Sequence, residues 1–158
     1  MQAAAVGCEK PARLHNRLTP ADLYPGMARC LEQEAYTDAV VIFALAGAYS
    51  HYDAQRVADA TARQAHAVLL RNTLAPLDAV KQKRFLAELR QTMSKQERLQ
   101  PVCREVARIG PPDYYPRYMI QHGQSAMVTG YDDGLRPDFD REAAWRRSLD
   151  GYLRCPIE

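Results

Sequence analysis

Eleven consecutive residues, Ala39 to Tyr49, are apolar apart from the terminal tyrosine hydroxyl. A helix that is apolar on every side must have neighbours on several faces. Val40, Val41 and Ile42 also suit a strand. The Ala-rich continuation and the length of the run favour helix. Eleven residues fall well short of the roughly 18 that a membrane-crossing helix needs. The run therefore predicts the central helix of a bundle, with Gly47 and its flanking alanines allowing close approach by a partner.

The remainder of the chain supplies those neighbours. With 158 residues, 47% hydrophobic and 25% charged, it has the make-up of one ordinary globular domain. Thr19-Pro20 is a helix start, and Pro25-Gly26 is expected to separate a short turn from the helix proper. Thr37 is the expected cap of the central helix, which ends near His51. A third helix is expected from Ala60 to Arg71, with Ala65, Val68 and Leu69 inward and Asn72 as C-cap. A fourth runs from Pro76 to Met93 on Val80, Phe85, Leu86, Leu89 and Met93. Ser94-Lys-Gln-Glu97 reads as a capping box for a fifth helix, whose inward face is Leu99, Val102, Cys103, Val106 and Ile109. Gly110-Pro111-Pro112 stops it, and Pro101 is expected to kink it or delay its start. A short helix or turn follows to His122, then a long glycine-containing loop over 123–138, then a last helix from Phe139 to Leu153 carrying Trp145, Leu149 and Tyr152. The fold class is thus all-α: a single-domain compact helical bundle of five long helices plus one or two short ones, with residues 1–18 a loose N-terminal arm.

Four cysteines stand out. Cys8, Cys30, Cys103 and Cys155 lie 22, 73 and 52 residues apart, with no CxxC, CxxCH or Cys/His cluster. An even number of distant cysteines fits two disulfides formed in an oxidising compartment, with three possible connectivities. Four free thiols are the plainer reading. A Cys103–Cys155 bridge would staple the last helix to the bundle, leaving Cys8–Cys30 to pin the arm. Met1 to Gly7 reads as the tail of a secretory leader or as a mature start behind an added Met. Ala5-Val-Gly-Cys8 loosely matches a lipoprotein cleavage box but lacks the preceding apolar stretch.

Chemistry-bearing motifs are scarce. No zinc, calcium or phosphate-loop spacing is present, and neither metal nor cofactor is expected. His51 and Asp53 are close in sequence, but no third ligand follows at a known spacing. Ser50-His51 adjacency says nothing for nucleophilic catalysis, because helix neighbours face differently. No catalytic residue is assigned. The formal net charge of +2 argues against nucleic acid as partner. Charge is nevertheless uneven. Lys81 to Arg108 holds eight basic residues against three acids, and Tyr131 to Glu142 five acids against two arginines. Docking on a protein of matching charge fits that polarity. The candidate contact residues are Asp53, Arg56 and Asp59 after the central helix, then Tyr114, Tyr115, Arg117 and Tyr118, then Tyr131, Asp132 and Asp133 in the loop.

The run Tyr36-Thr-Asp-Ala-Val-Val-Ile-Phe-Ala-Leu-Ala-Gly-Ala-Tyr-Ser-His-Tyr-Asp-Ala-Gln-Arg-Val-Ala-Asp59, then Thr61-Ala-Arg-Gln-Ala65, resembles small secreted helical proteins of Gram-negative bacteria, as does the ending Ala144-Trp145 through Tyr152-Leu-Arg-Cys-Pro156. The resemblance is to periplasmic immunity proteins that protect a cell from type VI secretion effectors. It implies a periplasmic, stoichiometric inhibitor without catalytic residues, monomeric or a small homo-oligomer, whose partner is a cognate toxic effector enzyme. Two other readings stand beside it. One is a small periplasmic enzyme or ligand-binding protein with a polar site near His51 and Asp53, joined by Glu88. The other is a structural helical adaptor.

Overall fold

A computed structural model describes residues 6–123 and 133–156. Every regular element among them is helical, apart from one antiparallel bridge between Val57 and Leu135. The helices are α1 (Pro20–Glu32), α2 (Tyr36–Arg56), α3 (Gln64–Leu74), α4 (Ala79–Ser94), α5 (Gln96–Ile109), the short α6 (Arg117–Ile120) and α7 (Arg141–Arg146), which continues as a π-helical segment Arg147–Tyr152. The chain is the all-α bundle that its central apolar run demands.

The α2 helix is the axis. Fourteen of its 21 residues are buried, on all sides, and it packs on α1, α4, α5 and the C-terminal helix. Gly47 is where the last of these comes closest. A Cβ there would lie 2.6 Å from the Tyr152 hydroxyl. The helix begins at Tyr36 rather than after Thr37, because Glu34 adopts φ 59° and folds the α1–α2 connection into three residues.

Local signals hold in part. At the start of α1, the Thr19 hydroxyl accepts from the Asp22 amide while the Asp22 carboxylate accepts from the Thr19 amide. Pro25-Gly26 does not divide this helix. Pro25 faces solvent, where water can serve the carbonyl that its ring leaves unpaired, and Gly26 is buried within a continuous α1. The expected box at Ser94 does not form, because Ser94 is the last residue of α4 and only Lys95 separates it from α5. The α4 helix starts later than expected, at Ala79, capped by Asp78 on the Lys81 amide. Its phase sends Phe85 and Thr92 inward and leaves Val80 61% exposed. The α3 segment opens as a 3-10 turn, Ala60–Arg63, and runs past Asn72 to Leu74. All five expected inward residues of α5 are buried. Pro101 lies on its exposed face without ending it, and Gly110 at φ 86° stops it.

Both ends are fastened. Cys8–Cys30 and Cys103–Cys155 are disulfides. Residues 6–18 have no regular structure beyond a 3-10 turn, Pro11–Arg13, yet they are not a loose arm. Val6 and Leu14 are buried, and Gly26 makes room for the arm, since a Cβ there would sit 2.7 Å from the Gly7 carbonyl oxygen. No helix among the described residues is long and apolar enough to cross a membrane.

Candidate functional site

At the C-terminal end of α2, residues three apart share one face. Asp53 and Arg56 therefore project together, towards the segment that follows α5. Asp53 is completely buried. Its Oδ1 accepts from Arg56 Nε at 2.8 Å and lies 2.8 Å from Arg56 Nη2. Its Oδ2 accepts from the Tyr114 and Tyr118 hydroxyls, each at 2.6 Å. Arg56 Nη2 also donates to the Tyr114 carbonyl at 3.0 Å. The guanidinium carbon lies 5.1 Å from the Tyr52 ring centre and 5.3 Å from that of Tyr114. A carboxylate taken this far from water needs such partners.

The ionisations follow from burial. Burial raises the Asp53 carboxyl, opposed by Arg56 and by the tyrosine hydroxyls. Tyr114 and Tyr118 are held well above the usual phenol value, first by burial and then by the adjacent carboxylate. Both oxygens of Asp53 are engaged and its side chain is buried away from solvent. This network is a brace. It joins α2 to the 114–118 segment, and the adjoining backbone extends it: Ala58 donates to the Gly134 carbonyl and Arg136 to the Arg56 carbonyl, both at 2.8 Å.

A second polar group sits on another face of α2. His51 Nδ1 is 3.0 Å from the Ser148 hydroxyl, which donates to the Ala144 carbonyl at 3.0 Å. Gln55 Nε2 also donates to that carbonyl at 3.2 Å, and its Oε1 accepts from Arg147 Nε at 2.7 Å. The His51 ring stacks parallel on Tyr152 at 5.2 Å. Burial and then Arg147 lower the His51 pKa. Ser148 is fully buried, and its contacts to His51 and to the Ala144 carbonyl tie the π-helical segment to α2. Glu88 belongs to neither group: it pairs with Arg98 at 2.7 Å between α4 and α5. His51, Asp53 and Glu88 thus lie in three separate sets of contacts. Among the described residues no three His, Cys, Asp or Glu side chains converge on a metal position.

The expected contact residues divide accordingly. Asp53 lies inside the protein and Arg56 is buried but for one edge, because the 114–118 segment closes over them. Asp59 is half-buried and caps the turn at Ala60, accepting from the Thr61 amide at 2.9 Å. Tyr114 and Tyr118 are half-buried with their hydroxyls inward. Tyr115 and Arg117 are exposed, the guanidinium 5.9 Å from the tyrosine ring centre. The Tyr115 hydroxyl donates to the Asp133 carbonyl, and the Asp133 carboxylate accepts from the Leu135 amide. Tyr131 and Asp132 lie outside the described residues.

Sequence reasoning missed Gln55, Ser148, Arg136 and Arg141. The two arginines were minority charges in an acidic loop, and the fold turns them to Arg56 around one cleft of about 500 Å³. Comparison with family models, with curated proteins and with solved structures finds no match.

Proposed function

We propose that the chain is a non-catalytic, ligand-binding protein whose working face is the surface that Asp53 props up. The observation that carries this reading is the complete burial of Asp53 with both carboxylate oxygens occupied. Its polar cluster holds a surface in place and does not react. Above it lie Tyr115, Arg117 and the neighbouring cleft. The volume of that cleft falls in the range of small-molecule sites. Two disulfides suit an oxidising compartment, and the periplasm is the one proposed. Screening the oxidised protein by thermal shift against small metabolites tests the reading. Saturable stabilisation lost in Tyr115→Ala or Arg117→Ala supports it. A turnover abolished by Asp53→Asn in a protein that remains folded would overturn it.

A second reading has its own support. Exposed Tyr and Arg side by side on a braced segment are the residue types that anchor protein interfaces. This favours a stoichiometric inhibitor of a secreted toxic enzyme, the function implied by the resemblance to type VI immunity proteins. Its test is a 1:1 complex with an effector produced by the same cell, dispersed by Tyr115→Ala with Arg117→Ala.

A further inference from the structure

We propose that the cleft between the end of α2 and the start of α7 is a binding site for a small organic oxyanion, a carboxylate or phosphate monoester carried on an apolar or aromatic body. This deepens the ligand-binding reading and rests on it. Arg56, Arg136 and Arg141 line the cleft. Arg56 is neutralised by Asp53 and fixed between two rings, so it offers a rigid edge with little net charge. Arg136 and Arg141 form no ion pair among the described residues. Both side chains are exposed, and each has a guanidinium fork suited to two oxygens of one anion. Asp133 is the acid of the lining and subtracts one charge. Among the lining side chains two guanidinium forks stand against one carboxylate, so an anion finds more partners in the cleft than a cation does.

The other walls are apolar: Leu135, Pro137 and Phe139. Phe139 is itself held edge-on to Tyr52, with ring centres 5.2 Å apart. Tyr52 is also one of the two rings against Arg56. Tyr52 thus holds both Phe139 of the apolar wall and the Arg56 edge in place before any ligand arrives. Inorganic phosphate can satisfy only the arginines. A phosphate or carboxylate with an aromatic body satisfies both walls. The backbone around the cleft is held by the Ala58–Gly134 and Arg136–Arg56 hydrogen bonds, so binding needs little ordering of the chain.

The probe is phenyl phosphate, titrated at low ionic strength by calorimetry, with inorganic phosphate and phenol as partial ligands. Phenyl phosphate is expected to bind about tenfold or more tightly than either fragment. Arg136→Gln and Arg141→Gln should each weaken it about tenfold, and Asp133→Asn should strengthen it. Both arginines are exposed, so unchanged circular dichroism and melting temperature show that these variants remain folded. Equal binding of phenyl phosphate and inorganic phosphate, or binding unaffected by Arg141→Gln, overturns the proposal. So does binding only to an acidic peptide and not to phenyl phosphate. A metabolite captured elsewhere on the surface would leave the ligand-binding reading standing while this site failed.

Discussion

Replacing Arg56 with methionine measures how much the brace around Asp53 contributes to the fold. The substitution keeps an unbranched stem between the Tyr52 and Tyr114 rings. It removes both nitrogens that lie 2.8 Å from Asp53 Oδ1 and the donor to the Tyr114 carbonyl. Asp53 keeps its two tyrosine donors on Oδ2, but Oδ1 is left buried and unpaired. Breaking a buried pair on one side costs about 3–5 kcal/mol. About 4 kcal/mol is expected at pH 8. With an unfolding slope of about 2 kcal/mol per molar urea, the midpoint falls by about 2 M. The sign of the pH effect is fixed. Removing Arg56 takes away the charge that opposed the burial-driven rise of the Asp53 pKa, so the folded value climbs further above the unfolded one. A raised acid favours folding when protonated. The penalty is therefore full at high pH and shrinks as pH falls through the folded value, by up to about 1.4 kcal/mol per unit. Asp53→Asn with Arg56→Met removes both charges and should cost only about 1–2 kcal/mol, less than the single substitution. Urea titrations of all three proteins at pH 5 and pH 8, with disulfides intact, decide the matter. A single-variant cost below about 1 kcal/mol, or a double variant that costs as much as the single, refutes the brace.

Reducing Cys8–Cys30 and Cys103–Cys155, 22 and 52 residues apart, should remove about 3 and about 4 kcal/mol by loop entropy, read as urea midpoints of single Cys→Ser pairs. Intact mass should rise by four hydrogens on full reduction. Gly47→Ala brings a methyl against the Tyr152 hydroxyl; about 1–2 kcal/mol of net destabilisation should remain after the helix-propensity gain, visible in thermal melts. Burial raises Tyr24, Tyr49, Tyr114 and Tyr118 above the ordinary phenol value. Their stabilisation is complete below about pH 10 and is lost as pH rises through the folded values, so ultraviolet titration should show these phenols ionising only as the protein unfolds. His51 and His66 have lowered values, so stability should fall as pH drops below about 6.5 towards the folded values. A flat denaturation midpoint from pH 7 to 5 would contradict that assignment.

The central helix, the α5 stripe and the all-α class were legible because burial imposes a periodicity on residue type. The pairing of Cys103 with Cys155 was readable as one of three options, since a cysteine on an inward stripe and one just after a docked helix have a reason to meet. The helix starts were harder. Ser94 has the letters of a cap but lies in the last turn of α4, and the box that forms is at Thr19 and Asp22. Letters specify what a side chain can accept, and the neighbouring helix decides whether it is free to do so. The same reasoning explains Asp53 and Arg56. Their composition suggested a polar surface. Only the return of Tyr114 and Tyr118, 61 and 65 residues later, covers them. Arg136 and Arg141 meet Arg56 through a bridge at Val57 and Leu135, which no local pattern announces.

The two disulfide rings do not overlap: one closes 8–30, the other 103–155. Under a stretching force applied outside Cys8 and Cys155, neither ring can lengthen. Only the span from Cys30 to Cys103, 103 − 30 = 73 residues, can be drawn out, giving about 250 Å of contour. That span contains α2 and hence Asp53 and Arg56, whereas Tyr114, Tyr118, Arg136 and Arg141 all belong to the second ring. Pulling would strip the brace from its platform while the platform's own segment stayed closed, so the candidate site should break at the first extension step and re-form only when α2 returns.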